Sequence, residues 1–437
     1  MIIPVLLFLV VAVAMLLSLP RNRAVLPLLI GATYIGTYQV VEIGPLHFQA
    51  MRFLVLFGLI RLLVKGERIS GRANTLDWAM VMWAFVLLAT SPFHVSTGLI
   101  GRVGYVFDTV GIYLLFRVFI SDWDDIVKIF EMICLLIVPV AAAMLLEKLN
   151  GNNLFELLGG SPWSAEYRNG HFRARGPFTH AILAGTIGAA CLPMALYLWR
   201  SQRKIACAGL AAAGGIVFAS GSSGPIMSAM SVIGAMLLWK VHSQLRVIRW
   251  LAIVGLFILN FNMNDPVYFL VARIDITGGS TGYYRAQLIR STIEHFNEWW
   301  MAGTDYTRHW MPSGISANPN SCDITNHFIA MAVIGGLPLM LLFMWILFTA
   351  FAGVGKLLRQ NESLPVEWQF LAWTLGAMLF GHVTTFFSIS YFDQATVFLY
   401  LPLACIGSLL ALQPNTAPAN YLETPGHAGE LNHSVGA

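Results

Sequence analysis

Long apolar stretches recur along this chain, and they constrain its fold more than any other feature. The first stretch runs from Ile2 to Leu19 and stops at Pro20. A helix needs about 20 apolar residues to cross the roughly 30 Å hydrocarbon core of a bilayer. The composition agrees, because 57% of the residues are hydrophobic and 11% are charged, against roughly 25% charged in soluble domains. The sequence therefore predicts an all-α, polytopic integral membrane protein.

We predict about 12 to 13 transmembrane helices in one transmembrane domain that covers residues 1–412. The first stretch lacks the basic front end and small-residue cleavage site of a secretory signal, so we interpret it as a retained span. The polar end, residues 413–437, is predicted to be a disordered cytoplasmic tail. The thirteen predicted segments are 2–20, 24–41, 49–64, 77–95, 99–120, 126–146, 178–199, 204–220, 225–241, 247–263, 324–352, 368–388 and 393–412.

The Lys and Arg residues are distributed unevenly among the loops between these segments. The odd-numbered loops, or their flanks, carry basic residues, whereas short even-numbered loops such as 220–224 and 388–392 carry none. Cytoplasmic loops of membrane proteins are enriched in Lys and Arg. The pattern therefore predicts that the odd-numbered loops face the cytoplasm, that the N-terminus faces outward, and that the two long loops, 147–177 and 264–323, lie in the periplasm.

The cations of these two long loops are nearly all arginine, whose guanidinium group offers a planar fork of donors suited to phosphate oxygens. Ordinary ion pairs with acidic residues of the same loops are the alternative explanation. The net charge of +4 is too small to indicate nucleic-acid binding. The eight cations are Lys148, Arg168, Arg173, Arg175, Arg273, Arg285, Arg290 and Arg308.

The first segment with a chemical pattern covers residues 171–180 and reads His-Phe-Arg-Ala-Arg-Gly-Pro-Phe-Thr-His. In an extended chain, His171, Arg173 and Arg175 would point to the same side. A helix would begin directly afterwards with Pro at its first position, and the N-terminus of a helix attracts anions. The pattern predicts a diphosphate-binding site. The alternative is a basic flank that contacts lipid phosphate.

The second segment, 281–300, carries aromatic and apolar residues at helical spacing between Tyr284 and Trp299. This spacing predicts an amphipathic helix that lies in the outer membrane–water interface. Arg285 and Arg290 would then stand at the height of lipid phosphates, where they could bind a donor diphosphate. The alternative is a lid-like helix whose arginines bind ordinary lipid.

The third segment is Asp-Ile-Thr-Asn-His-Phe, and its Asp323 suits the N-cap of the helix that follows. Asn326 and His327 would then share one face at the outer end of a span. His327 could accept a proton from a sugar hydroxyl while Asp323 orients its ring. A purely structural histidine is the alternative. No Cys/His cluster of the metal-binding type is visible, so we expect neither a metal nor a cofactor.

Over roughly residues 165–350, the chain resembles the O-antigen ligase and O-antigen polymerase family of bacterial cell-surface polysaccharide assembly. The likeness rests on three blocks in order: Arg-Gly-Pro-Phe-Thr-His, a long loop with Tyr-Arg and then Gly-Thr-Asp, and Asn-His-Phe followed by Gly-Gly-Leu. The resemblance implies a metal-independent glycosyltransferase with a GT-C-like membrane architecture.

The resemblance also implies a reaction and its partners. Such enzymes take a glycan from an undecaprenyl-diphosphate-linked donor and transfer it to a hydroxyl of an acceptor glycan or lipid core, in O-antigen or exopolysaccharide biosynthesis. The family's arginines correspond to Arg175, with Arg173 beside it, and to Arg285, and its histidine corresponds to His327. Membrane lipid, a flippase and a chain-length regulator are the other implied partners.

Two departures leave ligase and polymerase open as alternatives. The usual order in the last block is His-Asn, where this chain has Thr-Asn-His at 325–327. Many members have Ser-Arg-Gly before the ninth span, where this chain has Gly-Ser-Ser-Gly at 221–224. A polysaccharide or lipid transporter, or a flippase, is the alternative function. The polar residues gather at one membrane face and no internal repeat is visible, which favours the enzyme.

Overall fold

The computed structural model describes residues 1–44, 46–95, 98–273, 276, 281–312, 318–360 and 365–412, and most of them are helical. The predicted tail, 413–437, lies outside these residues. Two antiparallel hairpins pair β1 (Val40–Ile43) with β2 (Leu46–Gln49), and β3 (Glu166–Arg168) with β4 (His171–Arg173). The α-helices of this described part are α1 (Ile3–Ser18), α2 (Val25–Tyr34), α3 (Ala50–Lys65), α4 (Thr75–Ala89), α5 (Leu99–Phe119), α6 (Trp123–Asn150), α7 (Ala181–Leu198), α8 (Arg203–Ser220), α9 (Ser223–Leu237), α10 (Leu245–Asn262), α11 (Gly282–Glu294), α12 (Phe296–Trp299), α13 (His327–Gln360), α14 (Val366–Phe386) and α15 (Ala395–Ala411).

Seven helical stretches among the described residues are long and apolar enough to cross a membrane. Helices α1 and α15 are also apolar but shorter. The prediction of a predominantly helical protein of the membrane type is confirmed at this level. The seven stretches are Thr75–Phe93, Leu99–Phe119, Trp123–Asn150, Ala181–Leu198, Arg203–Ser220, Ser223–Asn262 and His327–Arg359.

Each of the thirteen predicted segments contains a helix, but the predicted span 24–41 extends too far. Helix α2 ends at Tyr34 after 10 residues, which corresponds to about 15 Å, or half a hydrocarbon core. The chain then passes close to another loop before it enters β1, since a Cβ atom on Gly36 would lie 2.4 Å from the carbonyl oxygen of Gly159. Apolar composition does not reveal this tertiary contact, which lies directly beyond the early end of the helix.

Helix α7 is the most deeply buried of the candidate spans, with 89% of its apolar window inside the protein. Small residues let neighbouring helices approach closely. A Cβ atom on Gly188 would lie 2.8 Å from the carbonyl oxygen of Ala213 in α8, and one on Gly185 would lie 2.6 Å from the Pro225 ring in α9. These contacts fix the N-terminus of α7, which lies at the candidate site.

Helix α13 is kinked at Gly335 and Gly336, and the segment after α12 packs into the kink. Gly336 has a φ of +74°, in the left-handed region that favours glycine. The backbone N–H of Leu337 donates to the carbonyl of Trp300 at 2.8 Å. The backbone N–H of Thr304 donates to the carbonyl of Val333 at 2.9 Å. The kink therefore joins the second long loop to the helix bundle.

Candidate functional site

The β3–β4 hairpin positions the first group of site residues. Its turn places Asn169 at a φ of +51° and Gly170 at +81°, a pair of left-handed residues typical of a tight two-residue hairpin turn. Arg168 pairs with His171, and Glu166 pairs with Arg173, across the two strands. Beyond β4 the backbone N–H of Ala174 donates to the carbonyl of Ala219 at 3.1 Å, which anchors the hairpin to α8.

A cavity of about 710 Å³ opens between this hairpin, the N-terminus of α11 and the ends of the central helices. Its lining combines basic side chains, two acidic ones and an apolar wall. The lining residues are Lys148, Glu166, Arg168, Asn169, His171, Arg173, His180, Ile182, Phe218, Gly221, Ser222, Ser223, Ile226, Thr281, Tyr284, Arg285, Asp323, Ile324, Thr325, Ser388, Ile389, Ser390 and Phe392.

Arg173 is buried at one side of the cavity and is held by two partners. Its Nη1 donates to Glu166 Oε2 at 2.6 Å, and its Nη2 donates to Ser222 Oγ at 2.8 Å. Its Nε is buried without a hydrogen-bond partner. Burial lowers the pKa of Arg173, and the neighbouring Arg168 lowers it further, while Glu166 acts in the opposite direction. The guanidinium is therefore oriented by an ion pair and a hydrogen bond, while one of its N–H groups has no hydrogen-bond partner.

Arg285 enters the cavity from α11, and its side chain has no ion pair or hydrogen bond to the described residues. It is 8% exposed, and its Nε is buried without a partner. Burial lowers its pKa to about 10, with further contributions from Arg173 and Arg168, whereas Asp323 favours the charged form. A buried cation beside other cations is costly unless an anion compensates for it. The arrangement suits a bound anion.

Two other titratable side chains line the same cavity. Burial raises the pKa of the Asp323 carboxyl above its ordinary value of 3.8, and Arg285 opposes that rise. His180, at the N-cap of α7, accepts the backbone N–H of Ile182 at 3.1 Å. Burial lowers the pKa of His180 to about 4, with Arg173, Arg175 and Arg285 contributing. The histidine is therefore neutral at ordinary pH and adds no charge to the cavity.

Arg175 was predicted to bind diphosphate together with Arg173, but it is not part of the cavity lining. Its Nη2 donates to the backbone carbonyls of Trp163 and Ser164, at 3.1 and 2.5 Å. The strand ends at Arg173, so Arg175 lies beyond its alternation. Because Arg173 lines the cavity and Arg175 contacts the 163–164 backbone instead, the prediction that the two arginines point to the same side is wrong.

Arg290 was also predicted to contact the diphosphate, and it lies on α11 outside the cavity lining. Its Nε donates to Glu294 at 3.0 Å in an exposed pair one helical turn apart. Arg285 and Arg290 are five residues apart, which corresponds to about 140° of rotation around a helix axis. The two arginines therefore point in very different directions, and only Arg285 reaches the cavity.

The third predicted block also folds differently from its prediction. Helix α13 begins at His327 rather than near Asp323, and the Asn326 side chain caps it by accepting the N–H groups of Phe328 and Ile329 at 2.9 and 3.2 Å. The prediction that Asp323 is the N-cap is therefore wrong. Asn is an equally good capping residue, and it lies directly before the helix.

His327 is 2% exposed and lies outside the cavity lining. Its Nδ1 accepts the backbone N–H of Tyr391 at 3.1 Å, so Tyr391 rather than Asp323 orients the ring. The rings of Phe343, Phe386 and Tyr391 surround it at centroid distances of 5.0, 4.8 and 5.3 Å. His327 therefore anchors the 388–392 loop, which contributes to the cavity lining. Its buried position outside the lining does not support proton transfer in the cavity.

The loop before α15 contributes an anchor that the sequence interpretation did not use. Asp393 Oδ2 accepts both the backbone N–H and the hydroxyl of Thr179, at 2.9 and 2.7 Å. Gln394 donates to the carbonyl of Pro177 at 2.8 Å. These contacts fix the chain just before α7. The acidic residue beside a span was visible in the sequence, but its partner 214 residues away was not.

The chain matches no protein-family model, and a search of curated proteins finds no match. Its fold and site define a class: a predominantly helical protein with seven candidate membrane spans in its described residues. One end of its helix bundle carries an open cavity whose lining combines several basic side chains with an apolar wall.

Proposed function

We propose that this protein is a membrane glycosyltransferase that takes a glycan from an undecaprenyl-diphosphate-linked donor. The observation that carries the proposal is the cavity in which Arg285, buried and without an ion pair to the described residues, lies with Arg173 beside an apolar wall. A diphosphate supplies the missing negative charge, and guanidinium groups bind phosphate oxygens well. The apolar wall, which includes Ile182 and Ile226, suits the first isoprene units of a lipid carrier.

Helix ends at the cavity add to its attraction for anions. Ser223, at the start of α9, and His180, which caps α7, both belong to the lining. Both helices have 15 residues or more, and the positive end of a helix dipole favours a nearby anion. The donor diphosphate would therefore be held by two guanidinium groups and two helix N-termini. In the proposal, these groups take the place of a divalent cation.

The proposed orientation places this cavity on the periplasmic side of the bacterial inner membrane. The cavity is lined at the C-terminal end of α6 and the N-terminal ends of α7 and α9. The opposite ends of α7, α8 and α9 adjoin the basic loops 199–204 and 238–249, which favour the cytoplasm. This arrangement supports an active site that faces outward. The GT-C-like architecture of 12 to 13 spans remains part of the proposal.

Asp323 is the best-placed general base, and it replaces His327 in that role. Its carboxylate lines the cavity, where burial raises its pKa and Arg285 stabilises its charged form. A base works best when its pKa approaches the working pH. In the proposed single displacement, the acceptor hydroxyl oxygen bonds to the anomeric carbon and its proton passes to Asp323. The bond from that carbon to the diphosphate oxygen breaks, and the electron pair leaves with the diphosphate.

The resemblance to the O-antigen ligase and polymerase family supports this reaction class and leaves ligase and polymerase as alternatives. The acceptor is then a lipid core or a growing glycan, and a flippase and a chain-length regulator are the expected partners. In either case the donor binds at the same cavity, because both reactions release undecaprenyl diphosphate.

The test is donor binding by the purified protein in lipid nanodiscs. We expect undecaprenyl diphosphate to bind in native mass spectrometry and undecaprenol, which lacks the phosphates, to bind much more weakly. Arg285→Gln should abolish the difference, and Arg290→Gln, a change of the same type on the same helix, should preserve it. Equal binding of the two lipids by the unaltered protein would contradict the proposal.

A further inference from the structure

A second group of ligand-type side chains lies at the far end of α11, outside the cavity. His295 follows α11, Glu298 belongs to α12, and His309 lies in the short 3-10 turn Arg308–Trp310. One ligand atom from each residue can be chosen so that all three lie within 4.8 Å of one another. The set of two imidazoles and one carboxylate is typical of zinc sites with three protein ligands.

The hydrogen bonds around this group orient it for metal binding. His295 Nδ1 lies 2.8 Å from the carbonyl oxygen of Ser291, and an imidazole can only donate to a carbonyl, so its proton lies on Nδ1. The Nε2 atom therefore carries the lone pair that a metal requires. Metal-binding histidines are usually held in this way through their second nitrogen.

The Glu298 carboxylate is also held by a neighbouring side chain. Trp310 Nε1 donates to Glu298 Oε2 at 2.9 Å, and His309 Nε2 lies 2.9 Å from the same oxygen. Trp310 is 3% exposed, so the indole is a fixed support. Glu298 and His309 are exposed, and small rotations of exposed side chains would bring the ligand atoms to the roughly 2.0–2.2 Å bonds of a zinc ion.

We propose that His295, Glu298 and His309 bind one Zn²⁺ ion, with water as the fourth ligand. The ion would link the end of α11 to the 308–310 turn, which packs against it through the rings of His295 and Trp310. Nitrogen and oxygen ligands of this kind favour Zn²⁺ over Mg²⁺ or Ca²⁺, which prefer all-oxygen sites. The inference does not depend on the transfer reaction, because these residues are absent from the cavity lining.

The test uses the full-length protein in detergent, purified with a tag that contains no histidine and stripped with EDTA. Titration with ZnCl₂ against a chromophoric chelator should give one tight site per chain. His295→Ala and His309→Ala should each weaken Zn²⁺ binding by more than about 100-fold, since even outer contacts of metal ligands are worth about 10–100-fold. His47→Ala is the matched control, because His47 is another exposed histidine beside a glutamate, at 3.6 Å from Glu42.

Trp310→Phe tests the geometry separately, because it removes the hydrogen bond to Glu298 and keeps an aromatic ring. It should weaken binding by about 10–100-fold while all three ligands remain. Gel filtration establishes that each variant is folded. Failure of the unaltered protein to bind Zn²⁺, or equal binding by the His309→Ala variant, would overturn the proposal.

Discussion

Arg285→Gln is the perturbation that best separates a ligand-binding arginine from a structural one. The substitution removes a positive charge from a side chain that is 8% exposed. Burial and two neighbouring arginines lower its pKa from 12.5 to about 10. At 1.36 kcal/mol per pKa unit, this change corresponds to about 3 kcal/mol against the charged form, relative to an arginine in water. We therefore expect the protein without donor to be at least as stable after the substitution.

The transfer reaction should respond in the opposite direction. Loss of one preorganised contact with developing negative charge costs about 2.7–4 kcal/mol, or roughly 10²–10³-fold in rate. The assay is release of undecaprenyl diphosphate per folded protein in nanodiscs, together with thermal unfolding of the same samples. Arg290→Gln is the matched control, because Arg290 lies on the same helix in an exposed pair with Glu294.

Opposite effects on stability and on rate are the distinguishing result. An arginine that only supports the fold would lose stability on substitution and keep its rate per folded molecule. If Arg285→Gln lowers the unfolding temperature and transfers glycan at the unaltered rate, the reasoning from the uncompensated charge is refuted. An equal loss of rate in Arg290→Gln would indicate a general effect of loop charge.

Three further predictions follow from the same geometry. If Asp323 is the base, the rate should fall as the pH is lowered through its raised pKa. Arg285→Gln removes a group that stabilises the carboxylate, so the acidic limb of the kcat/KM profile should move to higher pH. An unmoved limb contradicts the assignment of Asp323 as the base. His327→Ala should lower the free energy of unfolding by about 2–4 kcal/mol, because it leaves a cavity and loses a hydrogen bond. His327→Asn should keep the rate of transfer per folded protein. Complete loss of transfer by folded His327→Asn protein would restore a catalytic role for His327. Ser164 and Ser243 are both exposed, and the exposed Cys207 is first replaced by serine. In spheroplasts, Ser164→Cys should react with a membrane-impermeant thiol reagent and Ser243→Cys should not. The reverse pattern contradicts the proposed orientation.

The helices were predictable because their signal is local. A stretch of apolar residues needs no knowledge of the rest of the chain, and every predicted segment contains a helix. The errors arose where a distant contact decides the local structure. Helix α2 ends at Tyr34, and the residues that follow pass against the loop at Gly159. The β3–β4 hairpin was not predicted, because its three-residue strands are too short to show alternation.

The candidate site was predictable in part, because some of its residues belong to local sequence patterns and others are positioned by distant contacts. The segments that surround the cavity were identified, and Arg173, Arg285 and Asp323 line it. Arg175 and His327 could not be excluded from sequence, because the first depends on the backbone carbonyls of residues 163–164 and the second on the backbone of Tyr391. The metal-type group was missed because its third ligand follows only after an intervening loop.

The uncompensated charge of the cavity links its structure to its proposed use. A purely structural arrangement would place an acidic partner beside Arg285, as Glu166 is placed beside Arg173 at 2.6 Å. Instead, Asp323 is the acidic residue that favours the charged form of Arg285, and its effect is smaller than the opposing effects of Arg173 and Arg168. In the proposed function, a bound diphosphate would remove this repulsion. We therefore expect the relief of the repulsion to contribute to the binding free energy of the donor, and neutral lipids that lack the phosphates to bind more weakly.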